Sequence, residues 1–312
     1  MVSGCRAGAS LYAALLLLVA SACDGSDART PANVAPELRD VVMTGKLTDP
    51  DLTEASGLVV STEEPDVFWA QNDSGHDPQL FAFDSTGRSL GVLRVQGARN
   101  RDWEAISSGP CDHGSCMYIG DVGDNGADRQ HVRVFRIAMP KTGDTLSAQA
   151  EQLMFRYADG PRDVESMWVA PDTAVYLLTK RPERDAAHAY RPVRIYRLAP
   201  SAWRSADTAT ATLVDSLPIV PTRDESRGWV TDAALSRRDS VGAVRLAVRT
   251  YDDLYIFGVD TTSWRPTALI AQCSVRGLKE RNSGEGLAWL PDGRLMLDAE
   301  GEGSRLHRGR CP

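Results

Sequence analysis

Asp163-Val164-Glu165-Ser166-Met167-Trp168-Val169 places carboxylates at the opening of a short apolar run. The same form returns in Glu54-Ala55-Ser56-Gly57-Leu58, Asp102-Trp103-Glu104-Ala105-Ile106, Thr231-Asp232-Ala233-Ala234-Leu235 and Gly284-Glu285-Gly286-Leu287-Ala288. With Glu54, Glu104, Glu165, Asp232 and Glu285 taken as equivalent points, the unit repeats at intervals of 50 to 67 residues. Between these openings lie further short apolar runs, such as Val67-Phe68-Trp69-Ala70 and Gln79-Leu80-Phe81-Ala82-Phe83, separated by turn formers including Asn72-Asp73-Ser74-Gly75 and Asp84-Ser85-Thr86-Gly87. Val132 and Val134 alternate with Arg133, and Val193 and Ile195 with Arg194, the period of a half-wet strand. Four hairpin-linked strands per unit, repeated at this interval, predict an all-β chain folded as a β-propeller.

The count that fits is five blades. A sixth, degenerate blade hidden between the third and fourth units is the alternative. The last unit runs out of chain after Leu287-Ala288-Trp289-Leu290, Arg294 to Leu297 and Ser304 to His307. Its missing outer strand is supplied by residues 41–47, which otherwise lack a partner and would close the ring from the N-terminal side.

Ahead of the propeller, the single cation Arg6 and the apolar run Leu11 to Ala22 have the length of a secretory signal core and not of a membrane span. Ala20-Ser21-Ala22-Cys23 resembles the lipobox of bacterial lipoproteins, which makes 1–22 a signal peptide and Cys23 the lipidated residue. Residues 23–40 are polar and carry Pro31 and Pro36, as a flexible tether should. The expected domain is 41–312, a monomer, extracytoplasmic and anchored to the bacterial envelope by lipid alone. A formal net charge of −7 makes nucleic acid an unsuitable partner.

Once Cys5 and Cys23 are set aside, four cysteines remain and three pairings are possible. Cys111 and Cys116 bracket a turn-like sequence, so a local disulfide is the economical choice, and Cys273 then pairs with Cys311.

In a propeller the first strand of each blade lines the central channel. Glu54, Glu104, Glu165, Asp232 and Glu285 should therefore converge on the axis, where they repel one another unless protonated or neutralised by a cation. Oxygen ligands in an irregular set suit Ca2+. Asp73, Asp121, Lys180, Arg249 and Glu300 fall at the ends of second strands, where they would line the channel mouth as a ligand site. The five histidines have no ligand spacing, and no nucleophile elbow, zinc-protease motif, phosphate loop or dinucleotide fingerprint is present.

Glu54 to Leu58, Asn72 to Gly75, Asn100 to Ile106, Tyr118 to Asn125, Asp163 to Glu165, Thr179-Lys180 and Gly284 to Leu287 together resemble a group of secreted bacterial propellers, distantly related to the SdiA-regulated and phytase-esterase-like families. The strand openings also resemble those of calcium-activated apyrases, whose five blades send Glu and Ser side chains to a central Ca2+. These resemblances imply an envelope protein that binds a small or polymeric ligand, with a calcium-dependent hydrolase of phosphate or other esters as the alternative.

Overall fold

In the computed structural model, residues 35–112, 114–221, 225–278 and 284–312 are described. The expected signal, Cys23 and most of the expected tether lie outside them. No helix among the described residues is long and apolar enough to cross a membrane.

The chain is built from strands and a few short 3-10 turns. β1 (Arg39–Lys46) precedes the meander β2 (Ala55–Val60), β3 (Val67–Asn72), β4 (Gln79–Asp84) and β5 (Ser89–Arg94). Next come β6 (Trp103–Cys111), β7 (Gly114–Asp121), β8 (Val132–Ala138) and β9 (Glu151–Tyr157), then β10 (Val164–Val169), β11 (Val175–Thr179), β12 (Val193–Leu198) and β13 (Ala209–Leu217). β14 (Val230–Leu235), β15 (Arg245–Thr250), β16 (Asp253–Val259) and β17 (Pro266–Ser274) follow, and β18 (Leu287–Trp289), β19 (Leu295–Leu297) and β20 (Arg305–Arg310) end the chain. Pairing within each meander is antiparallel and sequential. β6–β9 and β10–β13 join into one eight-stranded sheet through a parallel match of Ala209, Thr210 and Ala211 with Phe155, Arg156 and Tyr157.

The first strands pack side by side: β2 on β6, β6 on β10, β10 on β14, β14 on β18, and β18 back on β2. The apolar core sits between neighbouring sheets and not on the axis. Val59, Trp69 and Leu80 pack with Trp103, Ile106 and Phe135, and Leu58, Phe68 and Phe81 with Ala288, Met296 and Leu306. Sheets stacked face to face in this way form a β-propeller.

β1 takes the outer place beside β20, pairing Arg39 with Arg310 and Lys46 with Arg305. It begins two residues before the strand read from sequence, and the fold reaches further back still. Leu38 is buried and its amide donates to Ser274 O at 3.0 Å, so residues 35–40 belong to the folded unit and not to a tether. Both expected disulfides are present, Cys111–Cys116 and Cys273–Cys311, with Cα atoms 5.8 and 5.6 Å apart. They suit an oxidising, extracytoplasmic compartment.

Candidate functional site

The inward-facing positions are set by a bulge near the start of four of the five first strands. The pairing register slips between Ala55 and Leu58, Trp103 and Ala105, Val164 and Ser166, and Val230 and Asp232. An extra residue in one strand re-aims the side chain at that point. Aligned on the bulge, the equivalent residues are Ser56, Glu104, Glu165 and Thr231, with Glu285 in the last unit, and all are buried.

This corrects two of the five carboxylates expected on the axis. Glu54 lies before the bulge and is half exposed, its Oε2 2.8 Å from His76 Nε2. Asp232 lies one residue past it. Its Oδ1 accepts from the Ala233 amide and its Oδ2 from the Leu287 amide, both at 2.7 Å, which ties β14 to β18. Burial pushes its carboxyl well above the usual range. Ser56 and Thr231 hold the vacated places: Ser56 Oγ donates to Glu104 Oε2 at 2.6 Å, and Thr231 Oγ1 to Glu285 O at 3.1 Å.

Two carboxylates outside the expected five gather beside Glu104. Asp73, Asp102 and Glu104 each present an oxygen, and the three oxygens lie within 4.8 Å of one another. Burial and then the charge of Asp73 raise Glu104 well above its ordinary value. Asp102 is pushed up to about 6, by burial first and Asp73 second. Glu285 is raised by burial, then by Glu300 and Glu104; Glu300 by burial, then by Asp73 and Glu54. Lys180 opposes these shifts at Glu104, Glu285 and Glu300 alike, while its Nζ is ion-paired with Glu165 Oε1. Acceptor-only groups this crowded and this deeply placed favour a proton or a cation.

The mouth is built by side chains that hold neighbouring sheets together. Asn72 Oδ1 accepts from the Thr53 and Glu54 amides. Asn100 Nδ2 donates to Asp73 O at 2.6 Å, and its Oδ1 accepts from the Trp103 amide at 3.1 Å, fixing Asp73 against the next sheet. Asp121, expected to meet a ligand, is buried. Its Oδ1 accepts from Arg129 Nη2 at 2.8 Å and from the Asp102 amide at 3.2 Å, which sets the position of Asp102. Arg249, expected to hold charge at the mouth, is also buried, and its Nη1 donates to Gly286 O at 2.7 Å and Asp298 O at 2.6 Å. Both act as braces, Asp121 through Arg129 and the Asp102 amide and Arg249 through the carbonyls of the last unit. Of the other residues expected at the mouth, Asp73 and Glu300 are half-buried, and Lys180 is buried against Glu165.

Gly123 leaves room for the cluster. A Cβ there would lie 2.6 Å from Asp102 Cγ and 2.7 Å from Glu104 Cγ. Gly123→Ala should displace both carboxylates and, where a cation is held among them, weaken its binding about tenfold or more in a calorimetric titration.

The repeat-based reading passed over Asp102, Tyr251 and Trp229. Asp102 and Glu104 stand two apart, so a strand sends them to one face; that spacing was available in Asp-Trp-Glu. The Tyr251 hydroxyl is raised above its ordinary range, by burial first and then by the charge of Glu285. Trp229 lies 5.8 Å from Lys180 Nζ and 4.4 Å from the Arg181 guanidinium. Neither aromatic has a local sequence signal, because each reaches the mouth from a connection between strands.

No protein-family model matches the chain, and no curated protein sequence does. Among solved structures, an exo-β-1,3-galactanase from Phanerochaete chrysosporium, with β-1,3-galactotriose bound, is similar at 11% identity and TM-score 0.50, over 86% of this chain and 64% of that one. A gluconolactonase from Xanthomonas campestris aligns at 13% identity over 88% and 91% of the two chains, TM-score 0.46. The soluble aldose sugar dehydrogenase of Escherichia coli aligns at 10% over 86% and 98%, also TM-score 0.46. Likeness at these identities is one of fold alone.

Proposed function

We propose that the chain is a five-bladed β-propeller of the bacterial envelope, lipid-anchored at Cys23, which holds a divalent cation, Ca2+, at Asp73, Asp102 and Glu104 and binds a small or polymeric envelope ligand over it. In this reading the eight-stranded sheet is two blades joined at Ala209 to Ala211, and β1 on β20 closes the ring. The likeness to the SdiA-regulated and phytase-esterase-like propellers belongs to the same proposal.

The observation that carries the cation is the triad of oxygens within 4.8 Å of one another. An all-oxygen donor set suits a hard ion, and Ca2+ tolerates the remaining positions being filled by water or ligand. The bound ion would supply charge neutralisation and a Lewis-acidic anchor. The residues of this chain do the rest: Asn100 and Asp121 hold Asp73 and Asp102 in place, Ser56 orients Glu104, and Lys180 offers an ammonium beside the cluster to an anionic group of the ligand.

The second reading, a cation-dependent hydrolase of phosphate or other esters, draws on Lys180 and the Tyr251 hydroxyl standing by the same carboxylates. One group would hold an anion, and the other bears a proton. A screen of nucleotides, phosphate monoesters and simple esters with and without Ca2+ separates the readings. Binding predicts ligand-dependent thermal shifts and no turnover; turnover that needs Ca2+ and is lost in Glu104→Gln establishes the hydrolase. The anchor is tested apart, by Cys23→Ser, which should release the protein from the membrane fraction.

A further inference from the structure

The first strands also have far ends. Leu58 to Val60, Ile106 to Ser108, Ala233 to Leu235 and Ala288 to Trp289 line a cavity of about 500 Å3. A neighbouring cavity of about 470 Å3 shares Ser108, Leu235 and Arg237 with it and adds Val169, the end of β10. A strand rises about 3.3 Å per residue, so Ser108 lies roughly 13 Å along β6 from Glu104. None of the carboxylates of the acidic mouth lines either cavity.

The charge here has the opposite sign. Asp239 is taken up by Arg245, 3.2 Å from Nη1, and by the Val241 and Ala243 amides. Asp292 accepts from Arg294 Nε at 2.8 Å. Arg238 lies over the Trp264 ring at 5.3 Å and donates to Gly242 O at 3.2 Å. Arg237 differs: among the described residues its guanidinium has neither a hydrogen-bond acceptor nor an ion-pair partner, and it is exposed. It borders both cavities and a third of about 530 Å3, which alone of the three includes the exposed Glu63 and Asp66. Ser108 and Ser240 add hydroxyls to the first cavity, and Trp289 is fixed in its wall by a 3.0 Å bond from Nε1 to Ala234 O.

We propose that this end of the channel is a second binding site, for a small hydroxylated oxyanion: a carboxylate or phosphate gripped by Arg237, with Arg238 beside it, on a body whose hydroxyls meet Ser108 and Ser240. A guanidinium grips an oxyanion through two parallel hydrogen bonds, which a neutral compound cannot accept in that form. A cavity of this volume falls in the range of small-molecule sites. The site is independent of the cation reading, since it lies at the other end of the strands.

The test is calorimetric titration of the whole mature chain with glucuronate, glucose 6-phosphate, inorganic phosphate and neutral glucose. Glucuronate or glucose 6-phosphate should bind, glucose should not, and Arg237→Ala should weaken binding by about tenfold or more, with Arg237→Lys between. Because Arg237 is exposed, its loss should leave the melting curve in place. Chelator should leave oxyanion binding unchanged, whatever becomes of the cation. Equal binding of glucose, binding that survives Arg237→Ala, binding lost in chelator, or no heat from either acid up to about 10 mM each overturns the proposal. Inorganic phosphate binding as tightly as glucose 6-phosphate overturns the hydroxylated body.

Discussion

Deletion of Arg39–Lys46 should abolish cooperative unfolding of the domain. The strand completes the last sheet on β20, so its loss leaves β20 as a bare edge of unpaired amides and carbonyls. It also reaches the first sheet: the Lys46 amide donates to Thr86 O at 3.2 Å and the Thr48 amide to Gly87 O at 2.9 Å. The flanking Leu38 and Leu47 are both buried, and truncation of a buried leucine alone costs about 2–5 kcal/mol. Contact between β1 and the Asp84–Gly87 turn is close enough that a Cβ on Gly45 would fall 1.8 Å from Thr86 O. Gly45→Val is therefore the milder form of the same experiment. Backbone cannot retreat as a side-chain tip does, so the cost should reach the top of the roughly 1–3 kcal/mol range for overpacking. Urea unfolding followed by tryptophan fluorescence reads both variants. A deletion variant with an unchanged midpoint would show that the ring does not depend on its N-terminal strand.

Chelation is the second large effect. A ligand that binds only the folded state stabilises it by about 2.7 kcal/mol at a hundredfold excess over its dissociation constant. For a domain of this size that is a melting shift on the order of 5–10 °C. The protein in chelator should melt lower by that amount, and Ca2+ should restore it. Asp102→Asn and Glu104→Gln should blunt the restoration, whereas Glu54→Gln, at a position half exposed and paired with His76, should respond as the parent does. Equal responses in all three variants would place the ion elsewhere.

The architecture was legible because it rests on periodic features. A carboxylate before an apolar run, alternating strands and turn formers recur in every unit, and those suffice for an all-β repeat. The spare segment before Glu54 pointed to β20 for the same reason, since a strand pattern without a partner must find one. The site was legible only in part. Counting from carboxylates put Glu54 and Asp232 on the axis, but a bulge decides which residue points inward, and a one-residue slip exchanges Thr231 for Asp232. Aligning on the small residues Gly57, Ala105, Ser166 and Gly286 would have chosen Ser56, Glu104, Glu165 and Glu285. Asp121 and Arg249 misled for another reason. Both sit at strand ends that could face solvent, and only packing shows that they are buried and bonded to neighbouring protein groups. The Asp73–Asp102–Glu104 cluster joins two sheets, a proximity that exists only once the sheets are stacked.

The central claim is a cation held by Asp73, Asp102 and Glu104. It is met most directly by elemental analysis of the purified chain, followed by calorimetric titration of the chelated protein with Ca2+. The account predicts about one ion per chain, lost on chelation and regained on titration, with affinity reduced about tenfold or more in Asp102→Asn. A chain that carries no divalent ion, gives no heat with Ca2+ and melts identically in chelator would contradict it, and the cluster would then be held by protons alone.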